Sequence, residues 1–179
     1  MNSESSQKVS LIGAGGIHIG DIEGLYGKAR AAREALTKAC AGHKIDVITI
    51  EEALMSFGKR RSSAGTLAIL NRFNGMISFM VRDMIGVPIS FVGSTTARRI
   101  VGLKINKDSE DDTKEQIFAW ARKHPLMENY PWPTKVMKSG PRKGQTVYEP
   151  LCYDISDAFV TAIWGSKSLN TGSLNETIC

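Results

Sequence analysis

Carboxylates are the side chains best placed to do chemistry in this sequence. Glu51 and Glu52 directly follow the β-branched run Ile45-Asp-Val-Ile-Thr-Ile50. A carboxylate where an apolar strand meets solvent has its direction set by the sheet, while its oxygens stay available to a cation. Taken alone, the pair also reads as an ordinary strand-terminal charge. Asp154 and Asp157 form a second pair, three residues apart and therefore on one face of a helix. Asp154 suits an N-cap as well, but capping needs one Asp. Two carboxylates on one face opposite a strand carboxylate repel one another unless a cation neutralises them. Carboxylates without His or Cys are hard oxygen ligands, suited to Mg²⁺ or Mn²⁺. Two such ions about 4 Å apart can clamp an in-line phosphoryl displacement, which suits a phosphodiester substrate.

The charge balance allows that substrate class. Twenty-three Lys and Arg against eighteen Asp and Glu give a net +5, a mild bias toward polyanions. The cations fall in runs: Lys59-Arg60-Arg61, Arg98-Arg99, Lys104 with Lys107, and Lys135 to Lys143. Each run alone reads as a solvated face, yet together they flank the acids along the chain and could supply phosphate contacts. Other chemistries find less support. Gly13-Ala-Gly-Gly-Ile-His18 follows an expected strand, but His18 stands where a dinucleotide fingerprint needs a third Gly or Ala, and Ile17-His-Ile19 does not open a helix. Cys40, Cys152 and Cys179 are far apart and form no zinc spacing, so a reducing compartment without structural zinc is expected. The apolar stretches are all broken before the roughly 20 residues of a membrane span. With Met1 as the start, no targeting segment is visible.

These residues must be positioned by elements legible in the hydrophobic pattern. A short strand is expected over Lys8–Ile12, with a glycine-rich continuation or bend to Gly20. A helix is expected from about Asp21 to Ala41, closing at Gly42. Ile45–Ile50 reads as a buried strand, Ser63–Ile85 as a long helix and Val87–Val92 as a further strand. A short helix over Thr95–Val101 precedes another from Asp111 or Asp112 to Lys123. Residues 124–150 hold five of the six prolines and read as an extended, Lys-rich loop. A last helix is expected over Asp154–Trp164. The length of 179 residues suits one domain, here residues 1–165, with 166–179 as a fraying tail.

The order of these features resembles the RuvC-type Holliday junction resolvases of the RNase H-like superfamily. Ser10-Leu-Ile-Gly-Ala-Gly-Gly-Ile17 is similar to the family's third strand, and Val47-Ile-Thr-Ile-Glu-Glu52 to the strand that ends in a catalytic Glu. A helix bearing Arg30 and Leu36 lies between them. Leu67, Leu70 and Gly75, then Val87-Pro-Ile, Ile100-Val-Gly102 and Lys114-Glu-Gln116 follow in the family's order, and Asp154-Ile-Ser-Asp-Ala158 is like its D-x-x-D-A. The likeness spans Ser10 to Ile163. It implies an α/β fold with a mixed sheet flanked by helices, and cleavage of four-way DNA junctions by paired incisions.

The resemblance also implies roles. Glu51, preferred over Glu52, together with Asp154 and Asp157 would hold two Mg²⁺ or Mn²⁺ ions, and Lys114 would support catalysis near the scissile phosphate. Leu54 falls where relatives place an aromatic wedge, and Phe57 is near enough to substitute. Arg98 or Arg99 would replace a basic residue that aligns with Ala97. Together with Lys59, Arg60, Arg61, Lys104 and Lys107, they are the expected DNA contacts. A two-fold symmetric junction implies a homodimer, for which Phe73, Met76, Met80 and Met84 are the candidate stripe, although such a stripe also reads as core. No membrane and no nucleotide cofactor are expected. Relatives begin with an Asp-bearing strand that has no counterpart here. The expectation is a start upstream of Met1, a piece of a longer chain, or a junction-binding protein without cleavage activity.

Overall fold

The computed structural model describes residues 9–53 and 64–170, and these divide into two compact units. One joins residues 9–16 to Ile105–Phe159; the other comprises Ile17–Lys104 and the chain from Val160 onward. The architecture is mixed α/β, with five α-helices and two two-stranded sheets among the described residues. None of these helices is long and apolar enough to cross a membrane.

In the second unit, helix α1 (Gly24–Cys40) leads to strand β1 (Ile48–Glu51), helix α2 (Ala64–Ile85), strand β2 (Ile89–Val92) and helix α3 (Ser94–Val101). The strands are parallel, with Ile48 opposite Ile89 and Glu51 opposite Val92. The apolar run Ile45–Ile50 is longer than β1 because a strand extends only as far as it has a partner. Pro88 has no N–H to give, but its carbonyl accepts from the Ile48 N–H at 3.4 Å.

Alternation sends Thr49 and Ile50 to opposite faces of this pair. On one face, Thr49 Oγ1 donates to the Thr161 carbonyl at 3.3 Å in the last part of helix α5 (Leu151–Asn170). Gly165 of that helix lies so close to Thr49 that a Cβ there would collide with the threonine side chain. On the other face, Ile50 shares an open apolar groove with Leu67, Leu70 and Ile77 of α2. Helix α1 lies against α2, where Thr37 Oγ1 approaches Met84 Sδ at 3.1 Å. Helix α3 ends at Gly102, held at φ 85°, while Leu103 N–H returns to the Arg98 carbonyl at 2.9 Å. That pairing needs the left-handed conformation glycine adopts freely.

The first unit is built around Phe118, 8% exposed, on helix α4 (Thr113–Lys123). Asp112 and Glu115 form a reciprocal capping box that starts this helix. The Phe118 ring meets Trp132, Tyr148 and Tyr153 edge to face, with centroids 5.0, 4.9 and 5.8 Å away. The Arg122 guanidinium sits 4.7 Å from the Tyr148 ring centre. The proline-rich stretch is not one extended loop. It holds a 3₁₀ turn (Pro125–Met127) and an antiparallel hairpin of β3 (Thr134–Val136) and β4 (Thr146–Tyr148), because its prolines fall outside the two short strands.

Two further elements differ from the expected ones. Residues 9–16 form no strand; their glycines offer no side chains to pack on a sheet, and Gly16 instead allows close approach of Leu151. Helix α5 opens at Leu151 and runs through Gly165 to Asn170, beyond the expected end at Trp164. Gly165 costs helix propensity, but its bare backbone is what lets the helix lie against Thr49.

Two outcomes follow. Gly165→Val should lower unfolding free energy by about 1–3 kcal/mol through overpacking against Thr49, read as a shift in the denaturant midpoint. Burial pushes the Cys152 thiol pKa up, and Sγ donates to the Pro133 carbonyl at 3.2 Å. The neutral thiol is therefore favoured in the fold. Its stabilising contribution is complete below the unfolded thiol value of roughly 8.5 and declines as pH rises through the higher folded value. Stability should fall as pH rises above the unfolded thiol value, roughly 8.5, and Cys152→Ala should flatten that fall; an unchanged slope would remove the thiol from this role.

Candidate functional site

Because β1 and β2 run in the same direction, their C-terminal ends open at one edge, where ligands gather in open parallel sheets. Glu51 closes β1 and is exposed. Glu52 continues the register, its N–H donating to the Val92 carbonyl at 2.9 Å. The two carboxylates leave the strand on opposite sides. Glu52 lies beside Gly93, where a Cβ would stand 3.5 Å from Glu52 Oε2. Gly93 is the residue that opens α3, so this carboxylate sits near the positive end of the α3 dipole.

Asn74 of α2 holds the same strand end, its Nδ2 donating to the Glu51 carbonyl at 3.2 Å. This residue was not singled out from sequence, although a signal for it exists. Asn74 interrupts the apolar series Leu67, Leu70, Ile77, Val81, and an amide in such a stripe needs a hydrogen-bond partner. Beside it the groove between β1 and α2 has a volume of about 350 Å³ and is lined by Ile50, Leu67, Leu70, Phe73 and Ile77 together with Glu51.

Asp154 and Asp157 occupy the first two turns of α5 and belong to the first unit, with Asp154 exposed and Asp157 half-buried. The expected capping role of Asp154 does not arise. The helix begins three residues earlier, and the Glu149 and Pro150 carbonyls accept from Cys152 and Tyr153 N–H at 3.0 Å each. The three carboxylates are thus divided, Glu51 in one unit and the aspartates in the other. Their all-oxygen chemistry fits Mg²⁺ or Mn²⁺ in kind. Within either unit, no three His, Cys, Asp or Glu side chains among the described residues gather into a metal-holding group.

The remaining candidates are distributed as follows. Lys114 is exposed in the first turn of α4, and Lys107 is exposed ahead of it, both in the first unit. Arg98 and Arg99 lie in the last turn of α3, followed by exposed Lys104, in the second unit. Cations at a helix C-terminus also complement its dipole. Phe73, Met76, Met80 and Met84 are half-buried along α2, while Ile69 and Phe79 of the same helix are 53% and 76% exposed. Leu54, Phe57, Lys59, Arg60 and Arg61 lie outside the described residues.

Asn74→Ala should leave the Glu51 carbonyl without this donor and lower stability by about 1 kcal/mol, measured as a denaturant midpoint; a shift within error would deny Asn74 its role at the strand end. Compared with protein-family models, with curated proteins and with solved structures, the chain has no match.

Proposed function

We propose that this chain is a metal-dependent, structure-specific endonuclease with an RNase H-like fold that binds four-way DNA junctions and resolves them by paired phosphodiester hydrolysis. The observation that carries this reading is the exposed Glu51 carboxylate at the C-terminal edge of a parallel strand pair, where an α/β sheet offers a ligand site. Asp154 and Asp157 support it because α5 does not use Asp154 as a cap. In this reading Glu51, Asp154 and Asp157 are the ligands of Mg²⁺ or Mn²⁺, which when bound supplies an activated water and stabilises the leaving oxygen. Asn74 orients the strand that carries Glu51. Lys114 faces the phosphate near the cut, and Arg98, Arg99, Lys104 and Lys107, with Lys59, Arg60 and Arg61, bind the DNA backbone. Leu54 or Phe57 serves as the junction wedge. The half-buried stripe of Phe73, Met76, Met80 and Met84 pairs two copies, as a two-fold symmetric junction requires.

The second reading, a junction-binding protein that does not cut, uses the same backbone-contacting cations without the metal chemistry. Cleavage of a synthetic four-way junction in Mg²⁺ separates the two. Wild-type protein should produce paired nicks, while Glu51→Gln and Asp154→Asn should each reduce incision by about 10- to 100-fold, the scale on which residues around a metal act, and retain junction binding in chelator. Junction binding without incision in Mg²⁺ or Mn²⁺ would establish the second reading, and full cleavage by both variants would overturn the assignment of the site.

A further inference from the structure

We infer that the β3–β4 hairpin is a nucleic-acid-binding arm whose cations Lys135, Lys138, Arg142 and Lys143 contact the phosphate backbone. The inference adds an element to the DNA-binding surface of the function proposed above and rests on that reading.

Charge segregation is the first support. Between Asn129 and Tyr148 the chain carries four cations and no carboxylate. The unit that contains this stretch, Met1–Gly16 with Ile105–Phe159, is otherwise acidic, with nine Lys and Arg against ten Asp and Glu in all. Its carboxylates are concentrated before and after, at Asp108–Glu115 and Glu149–Asp157. The hairpin is therefore a local positive feature and does not simply share a basic composition. All four cations are exposed.

Preorganisation is the second. Met137 N–H donates to the Gln145 carbonyl at 3.0 Å, and Gly144 N–H donates to the Met137 carbonyl at 2.9 Å. Two residues of one strand thus oppose one of the other, with Gly144 at φ 83°. This is a bulge that requires glycine and twists the ribbon. Gln145 N–H closes on the Arg142 carbonyl, and Lys143 N–H on that of Gly140, both at 3.0 Å. The tip Lys138-Ser-Gly-Pro-Arg-Lys143 is accordingly a shaped loop that places its cations without the full ordering cost a flexible tail incurs on binding.

The root is anchored as well. Trp132 before β3 and Tyr148 at the end of β4 both pack edge to face on Phe118. Glu149 N–H donates to the Pro133 carbonyl at 3.0 Å, which closes the base of the ribbon. Arg122, stacked on Tyr148, extends the positive surface to the root, and Tyr148 remains 41% exposed.

The geometry favours a nucleic acid over other polyanions. A two-stranded ribbon fits a major groove about 12 Å wide. Lys135 lies in β3 and Lys138, Arg142 and Lys143 in the tip loop, so the cations are spread along the ribbon and can meet successive phosphates. The tip has no Trp, Phe, Leu or Ile, the residues with which a membrane-surface element enters the headgroup layer.

The test measures binding of the full chain to a fluorescent four-way junction and to duplex DNA, in chelator, across a salt series. Replacing three tip cations together, Lys138→Gln, Arg142→Gln and Lys143→Gln, should weaken binding at least tenfold near physiological salt and reduce the salt slope by about 2–3, one unit per lost phosphate contact. A matched triple on α1 and α2, Arg33→Gln, Lys38→Gln and Arg72→Gln, should change binding much less. An unaltered melting temperature in both triples shows that the fold persists. Equal affinity and slope in the tip triple and wild type would overturn the arm and leave junction binding standing, as would equal losses in both triples. No DNA binding by the wild type would overturn the proposed function together with the arm. Tip-dependent binding to phosphatidylserine vesicles by a wild type that ignores DNA would assign the hairpin to a membrane.

Discussion

The pairing of β1 with β2 constrains everything else in the second unit. Four residues on each strand make too small a sheet to be stable alone, and a parallel pair must be covered on both faces. The cover comes from α2 against Ile50 and from the end of α5 against Thr49. Each helix is shaped for the task. Helix α2 presents Leu67 and Val81 as buried residues, and α5 carries Gly165 where any side chain would push it off the strand. The same pairing places the carboxyl-terminal ends of both strands at one edge, so packing and site geometry have a common origin. Glu51 is exposed because β1 ends there, and β1 ends there because β2 does.

The first unit solves a different problem. Its hairpin has three residues in each strand, and a ribbon of that size is marginal in water. It persists through its root, where Trp132 and Tyr148 clasp Phe118, and through the glycine bulge near its tip. Cys152 contributes from beneath, fully buried and donating to Pro133. Aromatic packing thus does for this unit what the sheet does for the other. The arrangement leaves cations at the exposed end and apolar rings at the base.

Much of the helical framework was legible residue by residue. The apolar spacing of α1, α2 and α4 placed them within a few positions, and the Asp112 start of α4 was visible as capping chemistry; after α1 the cap is Ala41, and Gly42, at φ 77°, belongs to the turn that His43 N–H closes on the Cys40 carbonyl. The hairpin was not visible, because prolines at 131, 133, 141 and 150 dominate its stretch, and the glycine bulge that completes it depends on hydrogen bonds between distant residues. The start of α5 was misplaced by three residues because Asp154 resembles a cap, whereas the Glu149 and Pro150 carbonyls open the helix. In the site, Glu51 stood out from the strand it ends. Asn74 did not, since its partner is a carbonyl 23 residues earlier.

By itself, the sequence determined the helices and the chemical character of the candidate groups, because periodicity, caps and charge are local properties. It determined that the acids offer only oxygen donors and that the cations come in runs. Tertiary structure alone decided which strand partners which, and therefore where β1 stops and Glu51 emerges. It also decided that a proline-rich basic stretch becomes an ordered hairpin. Those outcomes rest on the pairing of Ile48 with Ile89 and on the packing of Trp132 and Tyr148 against Phe118, contacts between residues well separated in the chain. Such pairings depend on loop closure and on surfaces that exist only once the helices have packed.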